Sequence, residues 1–83
     1  MQTLAKTPAG STVRITDIEG DDAIAMRMME MGVLEGEVIS VVGRAPLGDP
    51  IEVSVRGYRL SLRQQEAERI AVEPEPNETP NKI

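Results

Sequence analysis

The sequence has 83 residues, a net charge of −5 and neither cysteine nor histidine. This length allows one domain, and the missing residue types exclude disulfides, thiolate metal sites and cysteine nucleophiles. The acidic charge and the single aromatic residue, a tyrosine, disfavour nucleic-acid binding. The first residues contain no apolar run of the length that a signal peptide needs, and nowhere do the ~20 apolar residues that span a membrane occur together. We therefore expect a soluble cytoplasmic protein without membrane insertion.

The first half of the sequence predicts a strand followed by a helix. Residues 12–16 alternate between polar and apolar, as in a half-buried strand, and Ile18 breaks the alternation, which indicates a bulge or the strand's end. Residues 23–31 have helical periodicity, and Gly32 stands where a left-handed C-terminal cap favours glycine. The apolar stripe of this helix consists of Ile24, Met28 and Met31.

The second half predicts three more strands and a closing one. Residues 37–42 are largely β-branched, which favours a strand buried more completely than the first. Residues 51–56 and 58–63 alternate strictly and favour a tight hairpin. Residues 64–69 suffice for about one helical turn, and 70–72 resume the alternation as a short final strand. The predicted inward faces of the hairpin are Ile51, Val53, Val55, Tyr58, Leu60 and Leu62.

Five short strands of this kind must close or nearly close, because a flat sheet would leave long unpaired edges. We therefore predict a mainly β fold, a small SH3-like barrel of about five strands with one short α-helix and a short helical turn. An OB-like barrel is the alternative. The domain is expected to span residues 1–73, and the polar, proline-rich residues 74–83 are expected to form a disordered C-terminal tail. A barrel edge would also allow a weak homodimer.

Residues 44–51, Arg-Ala-Pro-Leu-Gly-Asp-Pro-Ile, form the most specific motif. Two prolines fix φ and restrict the residues before them, and Gly48 permits a turn, so we predict a stiff connection. With Met-Gly-Val-Leu-Glu-Gly at 31–36 and Leu-Arg-Gln-Gln-Glu-Ala at 62–67, in this order, the sequence closely resembles the FeoA family of small ferrous iron transport accessory proteins. The resemblance covers nearly everything from residue 4 to residue 72.

The resemblance implies a non-enzymatic SH3-like domain in the cytoplasm that binds and regulates the large membrane GTPase-permease of ferrous iron uptake. The sequence agrees in lacking the Gly-rich Walker loop that cradles a nucleotide. Related domains also resemble the C-terminal module of iron-dependent repressors, so an Fe²⁺-sensing, metal-binding domain is the alternative function. The docking face, the stoichiometry and the sign of regulation stay open.

The candidate partner-binding residues lie in three places. The first is the stiff turn, where an apical leucine is either tucked onto the barrel or offered to a partner. The second is the stretch 53–65, which contains no acid, so that its arginines form a basic strip on an acidic protein. The third is the methionine-rich helix, whose methionines cannot all face inward. The candidates are Leu47, Gly48, Asp49, Arg56, Arg59 and Met29.

A metal site has weaker support from the sequence. Asp17, Glu19, Asp21 and Asp22 gather before the helix, where helix capping and solvation are the simpler explanation of acidic residues. Without histidine they would give at best weak, unselective binding of Fe²⁺ or another divalent cation. We therefore expect no required cofactor.

Overall fold

The structure, a computed structural model, describes residues 2–75. Its strands are β1 (Gln2–Thr3), β2 (Thr12–Ile18), β3 (Val38–Arg44), β4 (Ile51–Val55), β5 (Tyr58–Leu62) and β6 (Ile70–Pro74). A short 3₁₀ helix, Leu4–Lys6, follows β1; the helices are α1 (Ala23–Glu30), between β2 and β3, and α2 (Gln64–Ala67), between β5 and β6. Within residues 2–75 no helix is long and apolar enough to cross a membrane.

All six strands of the described part belong to one antiparallel sheet, in the order β1-β6-β2-β3-β4-β5. The mainly β architecture with one α-helix and one helical turn is as predicted. The sheet is not closed, because β1 and β5 are its two edges. The register between β2 and β6 shifts between Ile15 and Asp17, which confirms a bulge where the alternation of the sequence breaks.

The described residues form one aliphatic core. It draws on every long strand, on Met28 from α1 and on Ala67 from α2. Leu4 and Ala5 of the 3₁₀ helix are also buried in it, although the sequence predicted no structure before residue 12. Two predictions of burial were wrong: Tyr58 is 70% exposed, and β3 is buried no more completely than β2, because Val42 is turned outward.

Helix α1 begins and ends as its sequence predicts. The Asp22 Oδ1 atom accepts a hydrogen bond from the Ala25 backbone N–H at 3.2 Å, so Asp22 is the N-cap. At the other end Gly32 has φ +101°, a conformation that favours glycine. The Val33 N–H then donates to the Met28 carbonyl at 3.0 Å, which closes the helix with a Schellman-type bond.

The ordered domain continues beyond the predicted boundary at residue 73. Pro74 belongs to β6, and Glu75 is only 8% exposed. The Glu75 carboxylate accepts two hydrogen bonds from Arg14, each at 3.0 Å, and that guanidinium also donates to the Gly36 carbonyl at 2.7 Å. The first two residues of the expected disordered tail are therefore ordered: Pro74 pairs within the sheet, although it is exposed, and Glu75 is buried. Residues 76–83 lie outside the described part, and their disorder stays a prediction.

Candidate partner-binding site

Residues 44–51, here called the proline turn, connect β3 to β4. Two backbone hydrogen bonds fix the loop: the Ala45 N–H donates to the Pro50 carbonyl at 3.0 Å, and the Gly48 N–H donates to the Ala45 carbonyl at 2.7 Å. Leu47 lies between them and is 96% exposed. The turn thus holds a large apolar side chain in solvent on a fixed backbone, and Leu47 is not tucked onto the sheet.

The other two candidates in the proline turn have structural roles. Gly48 adopts φ +90°. The Asp49 Oδ1 atom accepts a hydrogen bond at 2.9 Å from the backbone N–H of Gln64, the first residue of α2. Asp49 therefore fastens the turn to α2, and Leu47 is the residue that remains available to a partner.

The arginines of the predicted basic strip are exposed, but two of them meet acids from elsewhere in the chain. Arg56 lies 3.6 Å from a carboxylate oxygen of Glu37, and Arg59 lies 3.1 Å from one of Glu52. Within residues 2–75, Arg63 takes part in no ion pair. The strip is therefore less basic than the acid-free stretch of sequence implies, because neighbouring strands supply acids. Exposed pairs of this kind contribute only ~0–1 kcal/mol, so a partner could replace them at little cost.

The structure does not bring all the candidate residues together. The proline turn precedes β4 and Arg56 follows it, which puts them at opposite ends of a strand roughly 14 Å long. Arg56 lies instead beside the end of α1, where a Cβ on Gly32 would be 3.7 Å from the Arg56 Cδ atom. Arg59 lies between the two ends, on the outer face of the sheet.

Met29 belongs to a separate apolar groove of about 320 Å³. Its other lining residues are Ile18, Leu34 and Glu35. Met29 and Leu34 are both more than a third exposed. The sequence did not indicate Leu34 as a candidate, because a single leucine in a Leu-Glu-Gly turn has no periodicity that predicts its exposure.

The four acids proposed as weak metal ligands are not arranged as a metal site. Within residues 2–75 no group of three or more acidic side chains is placed to hold a metal ion. Asp22 makes a paired contact with Arg69, at 2.7 and 3.0 Å. The hydrogen bonds from Arg69 and from the Ala25 N–H lower the pKa of the Asp22 carboxyl to about 2, and the same pair raises the pKa of Arg69. A metal ion at Asp22 would have to displace this guanidinium.

The fold of residues 2–75 is that of a small, mainly β, SH3-like domain. The family model of the FeoA domain matches residues 2–74. The chain therefore belongs to the FeoA family, whose members are accessory domains and not enzymes, and the resemblance seen in the sequence is confirmed.

Similar proteins agree with this assignment. A protein of Porphyromonas gingivalis (strain ATCC BAA-308 / W83), described as an Fe(2+) transport protein A/Fe(2+) transporter FeoB fusion protein, is 37% identical over 70 residues, or 84% of this chain. This chain spans only 8% of that relative. The crystal structure of Stenotrophomonas maltophilia FeoA with zinc, described as a procaryotic SH3 domain protein, has a TM-score of 0.75 and 34% identity, covering 88% of this chain and 91% of that one.

A manganese-dependent transcriptional repressor contains the same fold. Its structure has a TM-score of 0.81 but only 19% identity, and the match covers 89% of this chain and 41% of the repressor. This likeness shows the fold alone. The SH3-like prediction is confirmed, and the OB-like alternative is set aside.

Proposed function

We propose that this chain is a cytoplasmic accessory protein of ferrous iron transport that binds and regulates the cytosolic part of a membrane GTPase-permease. The observation that carries the proposal is the Porphyromonas gingivalis relative, in which a homologous segment is fused to an Fe(2+) transporter. Fusion keeps two proteins at a high effective concentration, which favours partners that act in contact.

The proline turn supplies a physical basis for the contact. Leu47 is almost fully exposed on a backbone that two hydrogen bonds hold in place. Because the turn is already ordered, docking it costs less conformational entropy than docking a mobile loop. Burial of a leucine side chain contributes about 1.5–3 kcal/mol, which corresponds to roughly a 10- to 150-fold gain in affinity.

The test is an NMR titration of the ¹⁵N-labelled protein with the purified cytosolic GTPase domain of the transporter. We expect amide shifts in the proline turn, and we expect Leu47→Asp to weaken binding at least tenfold. Met26→Asp is the matched control, since Met26 is another exposed apolar residue but lies on α1. Regulation is measured as the change in GTP hydrolysis when the wild-type protein saturates the domain.

The contact and the regulation are contradicted by different results. Absence of binding by the wild-type protein, or equal binding by Leu47→Asp and wild type, would contradict the proposed contact. A GTP hydrolysis rate that does not change at saturation would contradict regulation.

We further propose that the chain requires no cofactor and binds Fe²⁺ only weakly. Arg69 already occupies the carboxylate of Asp22, the acid best fixed in place among the four candidates. The same NMR experiment, repeated anaerobically with Fe²⁺ alone, tests this. Saturable shifts at Asp17, Glu19 and Asp21 at micromolar Fe²⁺ would favour the metal-sensing alternative instead.

A further inference from the structure

Strand β5 has a free edge. Among the strands of residues 2–75 it is hydrogen-bonded to β4 alone. Its pairing with β4 is regular over all five residues, without the register shifts that occur between β2 and β6 and between β3 and β4. Proteins commonly protect such an edge with short strands, charged side chains, proline, a bulge or a covering element. Strand β5 contains neither a proline nor a bulge, and its one charged residue is Arg59.

The hairpin turn determines which backbone groups line this edge. Arg56 and Gly57 have φ of +54° and +84°, the positive values of a type I′ turn. In such a two-residue hairpin the flanking pair, Val55 and Tyr58, exchanges hydrogen bonds, and the bonding residues then alternate along the strand. Arg59 and Ser61 therefore direct their N–H and C=O groups away from β4.

The free edge ends at Arg63. The Arg63 N–H donates to Glu66 Oε1 at 2.8 Å, and the Arg63 carbonyl accepts hydrogen bonds from the N–H groups of Glu66 and Ala67 at 2.9 and 3.0 Å. The available edge thus consists of two donors and two acceptors, on Arg59 and Ser61. This is the length of edge that a short extended peptide can pair with.

The side chains beside the edge indicate the chemistry of a partner. On the outer face, Arg59 and Arg63 lie two positions to either side of Ser61. Arg59 forms an exposed pair with Glu52 at 3.1 Å, which a partner could replace at little cost, and Arg63 makes no ion pair within residues 2–75. On the opposite face, Leu60 is half-buried against the core and Tyr58 is largely exposed. A strand added here would place alternate side chains beside the arginines and beside these apolar residues.

We propose that β5 binds an extended segment of a partner protein in which acidic and apolar residues alternate, by addition of a strand to the sheet. Charge complementarity selects this occupant over a second copy of the chain. Antiparallel β5–β5 pairing through Arg59 and Ser61 would place the Arg59 side chains of the two copies diagonally across from each other, and β5 itself carries no acidic residue that could pair with them. The proposed function is needed only to name the protein that carries the segment, the cytosolic part of the transporter.

The key variant is Ser61→Pro, because proline removes one outward N–H donor. The hydrogen bonds between β4 and β5 are kept, since the Ser61 N–H does not point toward β4. Ser61→Ala is the matched control and retains the donor. A second variant, Arg59→Glu, changes the charge on the outer face without altering the backbone, so the proposal remains testable if Ser61→Pro unfolds in a thermal melt.

The probe is a synthetic peptide, acetyl-Ser-Glu-Val-Glu-Val-Glu-Ser-amide, and its lysine analogue is the comparison. With the acidic peptide we expect slower hydrogen exchange at the Arg59 and Ser61 amides of the wild-type protein. Binding should fall at least tenfold in Ser61→Pro and stay within twofold in Ser61→Ala. Arg59→Glu should bind the acidic peptide more weakly and the lysine peptide more tightly than the wild type does.

Several results would overturn the inference. The first is equal binding of the two peptides by the wild type, and the second is undiminished binding of the acidic peptide by a folded Ser61→Pro. The third is protection of the Arg59 amide that rises with protein concentration in the absence of peptide, which would indicate a homodimer.

Titration with the transporter's cytosolic domain separates the two proposals. If wild type and Ser61→Pro bind it equally, the edge is not the contact but the proposed function stands; if neither binds it, the proposed function fails, and the peptides still decide whether the edge accepts a strand.

Discussion

The carboxylate of Asp22 makes two separate contacts, one within its own helix and one with a distant residue. It caps α1 through the Ala25 N–H and also holds Arg69, 47 residues further along the chain. The cap is predictable from local sequence, because acids commonly precede a helix. The pairing with Arg69 is not predictable from local sequence, because Arg69 lies beside Asp22 through tertiary contacts: the pairing of β6 with β2, and the hydrogen bond from the Glu19 N–H to the Arg69 carbonyl at 2.8 Å.

We predict that the Asp22 carboxyl titrates at a pKa of about 2, below its ordinary value of 3.8. Because the folded state lowers this pKa, the stabilisation from ionised Asp22 is fully present above about pH 4 and is lost as the pH falls toward 2. A ¹³C NMR titration of the side-chain carboxyl measures it, and Arg69→Gln should move the pKa up toward 3.8.

Arg59→Gln serves as the control for this titration, since Arg59 pairs with Glu52 on another part of the surface. It should leave the pKa of Asp22 unchanged. A wild-type Asp22 that titrates near 3.8 would show that the ion pair with Arg69 does not persist in solution.

At the scale of elements, short-range patterns predicted the helices and the hairpin well. The β4–β5 hairpin follows from strict alternation and from a two-residue connection, and both features are local. Alternation predicts which face a side chain occupies but not how deeply it is covered. Tyr58 follows the inward pattern, yet it is exposed because it begins an edge strand beside the turn.

The local features of the candidate site were predictable from the sequence, but its tertiary contacts were not. The prolines indicated a stiff turn, and its apical Leu47 is held in solvent. The acidic partners of Arg56 and Arg59 could not be predicted, because Glu37 and Glu52 come beside them only through tertiary pairing. A stretch without acids in the sequence is therefore not a surface without acids.

The N-terminal segment is the element that the sequence analysis missed. Strand β1 has two residues, too few to show any period, and the 3₁₀ helix has three. Leu4 is nevertheless fully buried. Arg44 ties the segment down, since its guanidinium donates to the carbonyls of Ala5 and Thr7 at 2.7 and 2.9 Å.

We predict that Leu4→Ala lowers the free energy of unfolding by about 2–5 kcal/mol, the range found when a buried leucine leaves a cavity. Urea unfolding followed by circular dichroism measures the loss. Lys6→Ala, at an exposed position of the same 3₁₀ helix, is the control and should change stability by no more than about 0.5 kcal/mol. Equal stability of Leu4→Ala and Lys6→Ala would mean that the N-terminal segment does not pack on the core in solution.

At the scale of the whole molecule, β6 connects strands that are far from it in sequence. Strand β6 lies between β1 and β2 in the sheet. Just beyond it, the buried carboxylate of Glu75 binds Arg14 of β2, which also binds the Gly36 carbonyl in the turn before β3. The residues that follow the predicted boundary therefore connect three separate parts of the fold, although their composition resembles that of a disordered tail.

We predict that truncation lowers the stability of the fold only if it removes Glu73, Pro74 and Glu75. A chain ending at Glu75 keeps the pairing of β6 with Val13 and Arg14 and should melt with the full-length protein. A chain ending at Val72 loses that pairing and leaves Arg14 without its carboxylate partner. We expect a loss of about 1–3 kcal/mol in the free energy of unfolding, the cost of leaving partly buried polar groups unpaired, and a melting temperature lower by roughly 5–20 °C.

Differential scanning calorimetry of the two truncations compares them directly, and full-length Glu75→Gln isolates the contribution of the ion pair. If the chain ending at Val72 melts with the full-length protein, Glu73, Pro74 and Glu75 contribute nothing to the fold, and the domain ends where its sequence first indicated.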